Sequence, residues 1–205
     1  MSHERQNEMK DSGVEWIGEI PQRWDTVRFK RIHHGSNVGL SIDKDFWSTN
    51  EEDTVFYTAG LKSIYTNYND FDRALLTEEN DLLLARNGTP YVYFPQIGAI
   101  YTDHIIRVSI DSAYNKAFVR YCLQQSIANE VVDTVSIPTW SMPIWNRQCL
   151  PHPPLAEQAA IAAYLDDKCA TIDGIITEKE ALIAELENYK KSLIFETVTG
   201  KRRVC

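Results

Sequence analysis

From Leu155 to Phe195 the chain contains no proline and a single glycine, Gly174, whereas Pro138, Pro143, Pro151, Pro153 and Pro154 crowd the stretch just before it. A heptad register fits this proline-free segment. Leu165, Ile172, Lys179, Leu186 and Leu193 fall at a, and Ile161, Lys168, Ile175, Leu182 and Tyr189 fall at d, so eight of ten seam positions are apolar. The pattern predicts one long, coiled-coil-like helix. Pro154 suits its first turn, and Glu157 stands where a carboxylate favours the positive end of the helix dipole. At 1.5 Å per residue such a helix is about 60 Å long, more than a domain of this size can cover, so its seam calls for a partner helix. Gly174 in mid-helix costs about 1 kcal/mol relative to alanine and marks a kink or a close crossing.

The rest of the chain reads differently. Short apolar runs at Thr54 to Thr58, Asp81 to Arg86, Tyr91 to Phe94, Ala99 to Tyr101 and Ile105 to Ile110 are punctuated by Gly60, Asn87-Gly88 and Gly98, as in a mostly antiparallel sheet. Between Ser112 and Glu130 the spacing of Phe118, Tyr121, Cys122 and Ile127 turns helical, with Asp111 or Ser112 as N-cap. The expected class is therefore α+β: a domain with a mainly antiparallel sheet and flanking helices, followed by a long C-terminal helix. The expected divisions are a flexible lead over 1–19, a globular domain over 20–152, a helical region over 153–198 and a basic tail over 199–205. The proline cluster is expected to end regular structure in the globular part.

Composition narrows the function. The net charge is -8, and no segment beyond Lys201-Arg202-Arg203 is basic, so nucleic acid would have to be met by a local patch or alongside a basic partner. No apolar run approaches the ~18 residues that a membrane span needs. Residues Met1 to Lys10 lack the apolar core of a secretory signal, which makes the cytoplasm the expected location. Cys122, Cys149, Cys169 and Cys205 are spaced too widely for a paired metal motif and are expected as thiols.

A search for catalytic chemistry finds little. Asn87-Gly88-Thr89-Pro90-Tyr91 has one residue too many, and one proline too few, for the Asn-Pro-Pro-Tyr loop that holds adenine in amino-methyltransferases. The nine glycines form no nucleotide-binding fingerprint. Asp166-Asp167-Lys168 has a nuclease-like spacing but lies on the long helix with its lysine in the seam. His33 and His34 are adjacent and would point to opposite faces of a strand, and His104 is expected as a satisfied strand residue. No serine sits in a nucleophile elbow. No cofactor, metal or catalytic residue is expected.

Two segments look suited to recognition instead. The strand Leu82 to Ala85 ends abruptly in Arg86, Asn87, Gly88 and Thr89, which offer the donors and acceptors that read base edges, although Asn-Gly is also an ordinary hairpin signal. Ser136 to Asn146 carries Trp140 and Trp145 between prolines, and residue type leaves binding and packing equally open.

Three segments together resemble the specificity subunit of type I restriction-modification systems. Asp11 to Pro21 with Trp24 looks like the start of its target-recognition domain, and Asp81 to Thr89 resembles an Asp-(apolar)3-x-Arg-x-Gly segment. Pro153-Pro154-Leu155-Ala156-Glu157-Gln158, Ile161, Tyr164-Leu165, Leu186, Tyr189, Lys191 to Ile194 and Thr197 to Lys201 look like its helical spacer. The resemblance implies a non-catalytic subunit that reads double-stranded DNA, whose spacer pairs with a second spacer between two half-sites. Its implied partners are modification (methyltransferase) subunits, with or without a restriction subunit. Family members carry two recognition domains and two spacers, whereas one of each is visible here, so pairing with a second copy or another half is implied, unless the chain is a vestigial fragment.

On this reading Lys62, Tyr65, Arg86, Asn87, Thr89, Tyr91, Thr139 and Trp140 are the candidates for DNA contact. Ile161, Leu165, Ile172, Ile175, Leu182, Leu186, Tyr189 and Leu193 are the candidates for pairing. The rival is a protein-protein module that dimerises through its helix and competes for the modification subunit without reading DNA.

Overall fold

A computed structural model describes residues 8–60, 63–130 and 138–204. The chain divides into two units, one running through Ala162 and the other from Ala163 onward.

The centre of the first unit is strand β8 (Asp81–Ala85), buried along its whole length. Side chains alternate across a strand, so Leu82 and Leu84 enter one core cluster, while Leu83 and Ala85 enter another on the opposite face. Burial on both faces explains the unbroken apolar run. β8 lies in a four-stranded antiparallel sheet with β4 (His33–Val38), β9 (Val92–Tyr93) and β11 (Ile105–Ile110), in the order β4-β11-β8-β9. On the Leu82 side, helix α1 (Lys116–Ala128) contributes Phe118, Val119, Cys122, Leu123 and Ile127 to the larger cluster. Burial pushes the Cys122 thiol up to about 12.

The expected sheet is in fact divided. A second four-stranded sheet joins β5 (Trp47–Ser48), β6 (Thr54–Tyr57), β7 (Ile64–Thr66) and β10 (Ile100–Tyr101) in the order β10-β6-β7-β5, with β10 parallel to β6 and the other pairs antiparallel. Phe56 and Ile100 form its own small cluster with Ile42. Gly39 passes against the backbone of Tyr101 and Thr102 so closely that a Cβ would overlap their carbonyl oxygens.

Two further departures concern the ends of this unit. Among the described residues of the expected lead, β1 (Met9–Asp11) pairs with β2 (Glu19–Pro21) as an antiparallel hairpin, and Asp11 and Ser12 accept hydrogen bonds that close its turn. The proline cluster does not end the domain either. Pro143 is accommodated in the first turn of α2 (Met142–Arg147), where an N–H has no intrahelical partner to lose. Pro151 sits in β12 (Cys149–His152), which pairs only with β3 (Asp25–Arg28) in a two-stranded sheet, where an edge tolerates a missing donor.

Helix α3 (Leu155–Val198) begins within the first unit. Gln158 is buried, its Oε1 accepting from Asn115 N at 2.9 Å and its Nε2 donating to Pro153 O at 2.9 Å. Ala162 is buried in the main core and Ile161 packs against it.

The second unit is helix from Ala163 to Val198 and then a turn in which Gly200 takes φ 72°. That left-handed conformation after the last turn is the usual glycine stop. The helix continues through Gly174, and a Cβ there would meet nothing within 4 Å. Ile172, Ile175, Leu182, Leu186 and Tyr189 are each about half exposed or more, while Leu165 and Leu193 are less so. Among the described residues no helix is long and apolar enough to cross a membrane.

Candidate nucleic-acid interface

Beyond β8 the chain makes a six-residue connection, Arg86 to Tyr91, before β9. Its start is held from two sides. Arg86 N donates to His104 O at 2.8 Å, Trp140 N donates to Arg86 O at 2.7 Å, and Gly88 N donates to Pro138 O at 2.9 Å, with Asn87 and Thr139 forming an antiparallel bridge. Residues 86–88 are therefore pinned between the 138–140 segment and the turn before β11. Asn87-Gly88 is not a tight two-residue hairpin, because the ladder closes at Ala85 N donating to Tyr91 O at 2.9 Å, with five residues between them. Gly88 takes φ 78°, a conformation that glycine adopts without strain.

Two indoles fasten this segment from below. Trp140 Nε1 donates to Gly88 O at 2.7 Å, and Trp145 Nε1 donates to Ala85 O at 3.2 Å. Both rings belong to the main core, Trp140 at 3% exposure and Trp145 at 0%. A buried indole N–H needs an acceptor, and here the acceptors are backbone carbonyls at the end of β8 and in the turn beyond it. Both tryptophans of the loop are thus packed in the core. Trp140 is a clamp under the turn, and its burial removes it from the set that could touch a base.

The polar side chains above the clamp are accessible. Arg86 is exposed, and its Nη1 donates to Asp103 O at 3.2 Å, using one donor of a five-donor fork. Asn87 Nδ2 lies 2.9 Å from His104 Nδ1. Thr89 and Thr139 are exposed, and Tyr91 is half-buried with its ring edge-on to Tyr93 at 4.7 Å. Burial raises the pKa of Tyr93, with the neighbouring Tyr91 adding to the shift. Arg86, Asn87, Thr89 and Thr139 thus come together at one end of the β8 sheet. Tyr65 stands apart, on β7 of the other sheet opposite Val55 and Ser48. Lys62 lies outside the described residues.

Asp103 and His104 escaped the reading from sequence, which expected His104 to be a satisfied strand residue. It precedes β11 instead, and its side chain is 55% exposed. Only the antiparallel register of β11 on β8, with Ile105 opposite Ala85, brings it beside Asn87. Among the candidate pairing residues, Ile161 belongs with the core of the first unit, and the exposed seam begins further along α3. Among the described residues no group of three or more His, Cys, Asp or Glu is arranged to hold a metal ion.

This architecture, two small sheets and a covering helix followed by one long helix, is the fold of type I restriction-modification specificity subunits. The S subunit from M. genitalium is matched with a TM-score of 0.59 at 15% identity, over 76% of this chain and 41% of that one. The HsdS subunit from Thermoanaerobacter tengcongensis is matched with a TM-score of 0.55 at 15% identity, over 92% and 47%. A chain from a structure of type I R-M complex assembly and conformational transition is matched with a TM-score of 0.64 at 14% identity, over 92% and 48%.

In sequence, 106 residues are 27% identical to the specificity subunit of the Escherichia coli type I restriction enzyme EcoBI. They make up 50% of this chain and 22% of that subunit. The chain spans less than half the length of each of these relatives. No family model matches it.

Proposed function

We propose that this chain is a DNA sequence-recognition subunit of a type I restriction-modification complex and has no catalytic role of its own. The observation that carries the reading is the turn above the clamp. Arg86, Asn87, Thr89 and Thr139 present polar groups on a backbone fixed by two buried indoles, within a fold shared with specificity subunits. Side chains on a rigid support are what base reading requires, because a misplaced donor loses its discrimination.

In this reading the globular part, 20–152, reads one half of a split site, and the spacer, 153–198, pairs with the spacer of a second copy or of another half-subunit. The assembled subunit holds the modification subunits in place, in the cytoplasm where the chromosome is. Those subunits share the enclosure of the duplex, which reconciles DNA binding with a net charge of -8. The complex serves methylation with or without a restriction subunit.

The test is to co-express the chain with its modification subunit in a host lacking adenine methylases and to map methylated adenines by long-read sequencing. A split motif is expected, palindromic if two copies pair and asymmetric if the partner is a different half. A co-purifying complex that methylates nothing would favour the competing protein-protein module.

A further inference from the structure

The geometry points to Asn87 and His104 as a preset pair that reads an adenine, with Asn87 touching the base and His104 fixing which way its amide faces. The inference rests on the DNA-reading function above and adds the identity of one base. An asparagine amide reads adenine when Oδ1 accepts from N6 and Nδ2 donates to N7; turned over, it offers a donor where guanine carries O6. A freely rotating amide sets Oδ1 against guanine N7 when turned over, so fixing it strengthens the preference for adenine rather than creating it.

Asn87 is not free to turn. Its Nδ2 lies 2.9 Å from His104 Nδ1, a contact that holds one orientation provided that Nδ1 is the acceptor. The surroundings of the ring favour that tautomer. Asp103 Oδ1 lies 4.0 Å from His104 Nε2, where a carboxylate favours a proton on Nε2, and Thr102 Oγ1 fixes the same oxygen by donating to it at 2.9 Å. With the proton on Nε2, Nδ1 carries a lone pair toward Asn87. One Nδ2 hydrogen is then engaged and the other remains for N7, while Oδ1 remains for N6. The backbone beneath is held on both sides, by the Arg86 bond to His104 O and by the Asn87–Thr139 bridge.

His104 is thus a positioning residue, and its role has a signature that plain destabilisation lacks. In the methylation-mapping experiment, the wild-type complex should specify adenine at one motif position other than the methylated one. Asn87→Ala should accept any base there. His104→Ala should relax that position to either purine, at least tenfold in the adenine-to-guanine ratio, with every other position unchanged. His104→Asn, whose Oδ1 can take the place of Nδ1 and accept from Asn87 Nδ2, should restore adenine. An unchanged motif in His104→Ala, or an equal loss at all positions, would overturn the pairing and leave the reading function standing. A wild-type complex with no sequence motif would overturn both.

Discussion

Arg23 grips both carboxylate oxygens of Glu157, its Nε at 3.2 Å from Oε1 and its Nη2 at 2.8 Å from Oε2, and Trp24 Nε1 donates to Oε2 at 3.0 Å. The contact joins the segment after the β1–β2 hairpin to the first turn of α3. The hydrogen bond from Arg23 is the largest cause holding the Glu157 carboxyl below its usual range; burial opposes it, and Trp24 and the Arg23 charge support it.

A carboxylate with a depressed folded-state pKa stabilises the fold above its unfolded value, about 4.3, and that contribution is lost as pH falls through the folded value. Thermal midpoints of wild type and Glu157→Gln are therefore expected to differ at pH 7 and to converge toward pH 3. A difference that did not change with pH would show that the charge is not what matters.

Trp145 and Trp140 separate packing from clamping. Trp145→Ala removes a fully buried ring and is expected to cost about 3–5 kcal/mol. Trp140→Phe keeps an aromatic ring in the core but removes the donor to Gly88 O, at about 1–3 kcal/mol. Urea unfolding measures both.

Arg86 is exposed, so Arg86→Ala should alter stability by no more than about 0.5 kcal/mol. A bidentate arginine contact to a base contributes about 1–3 kcal/mol of discrimination. The mapped motif should accordingly relax at one position while the melting temperature holds. Loss of the folded domain would instead assign Arg86 to structure, through its bond to Asp103.

The exposed seam of α3 makes a prediction about association. Leu182 and Leu186 are 46% and 57% exposed, one turn apart. If they pair with a second helix, Leu182→Asp with Leu186→Asp should abolish the concentration-dependent dimer in sedimentation and leave the unfolding of the first unit unchanged.

Much of this fold is legible in the sequence where one period dominates. Ile105 to Ile110 was bounded correctly because its alternation matches a strand with one fully buried face, and α3 because nothing interrupts it. The N-cap of α1 was misplaced, since Asp111 or Ser112 was expected and Asn115 takes the position. Asp111 closes a turn through Ala113 N, and Asn115 caps the helix by accepting from Phe118 N at 2.9 Å.

Prolines mislead wherever a local rule depends on distant pairing. Pro151 is admissible only because β12 has one neighbour, and that neighbour is more than a hundred residues earlier. The site divides in the same way. Arg86 to Thr89 are legible as a polar strand end. The sinking of Trp140 and the arrival of His104 depend on tertiary register, which composition does not carry.

The pairing of β3 with β12 also has a consequence in time. Val27 stands opposite Leu150, so the strand waits for a partner made 123 residues later. At the usual pace of translation, ~5–20 residues per second, that is a delay of roughly 6 to 25 s. During it Phe29 and Ile32, which end in the main core, lack Trp145 and Leu150 to cover them. The ribosome thus releases an unfinished barrier to aggregation, and slowing synthesis before Cys149 should lower the soluble yield more than slowing it after Leu155.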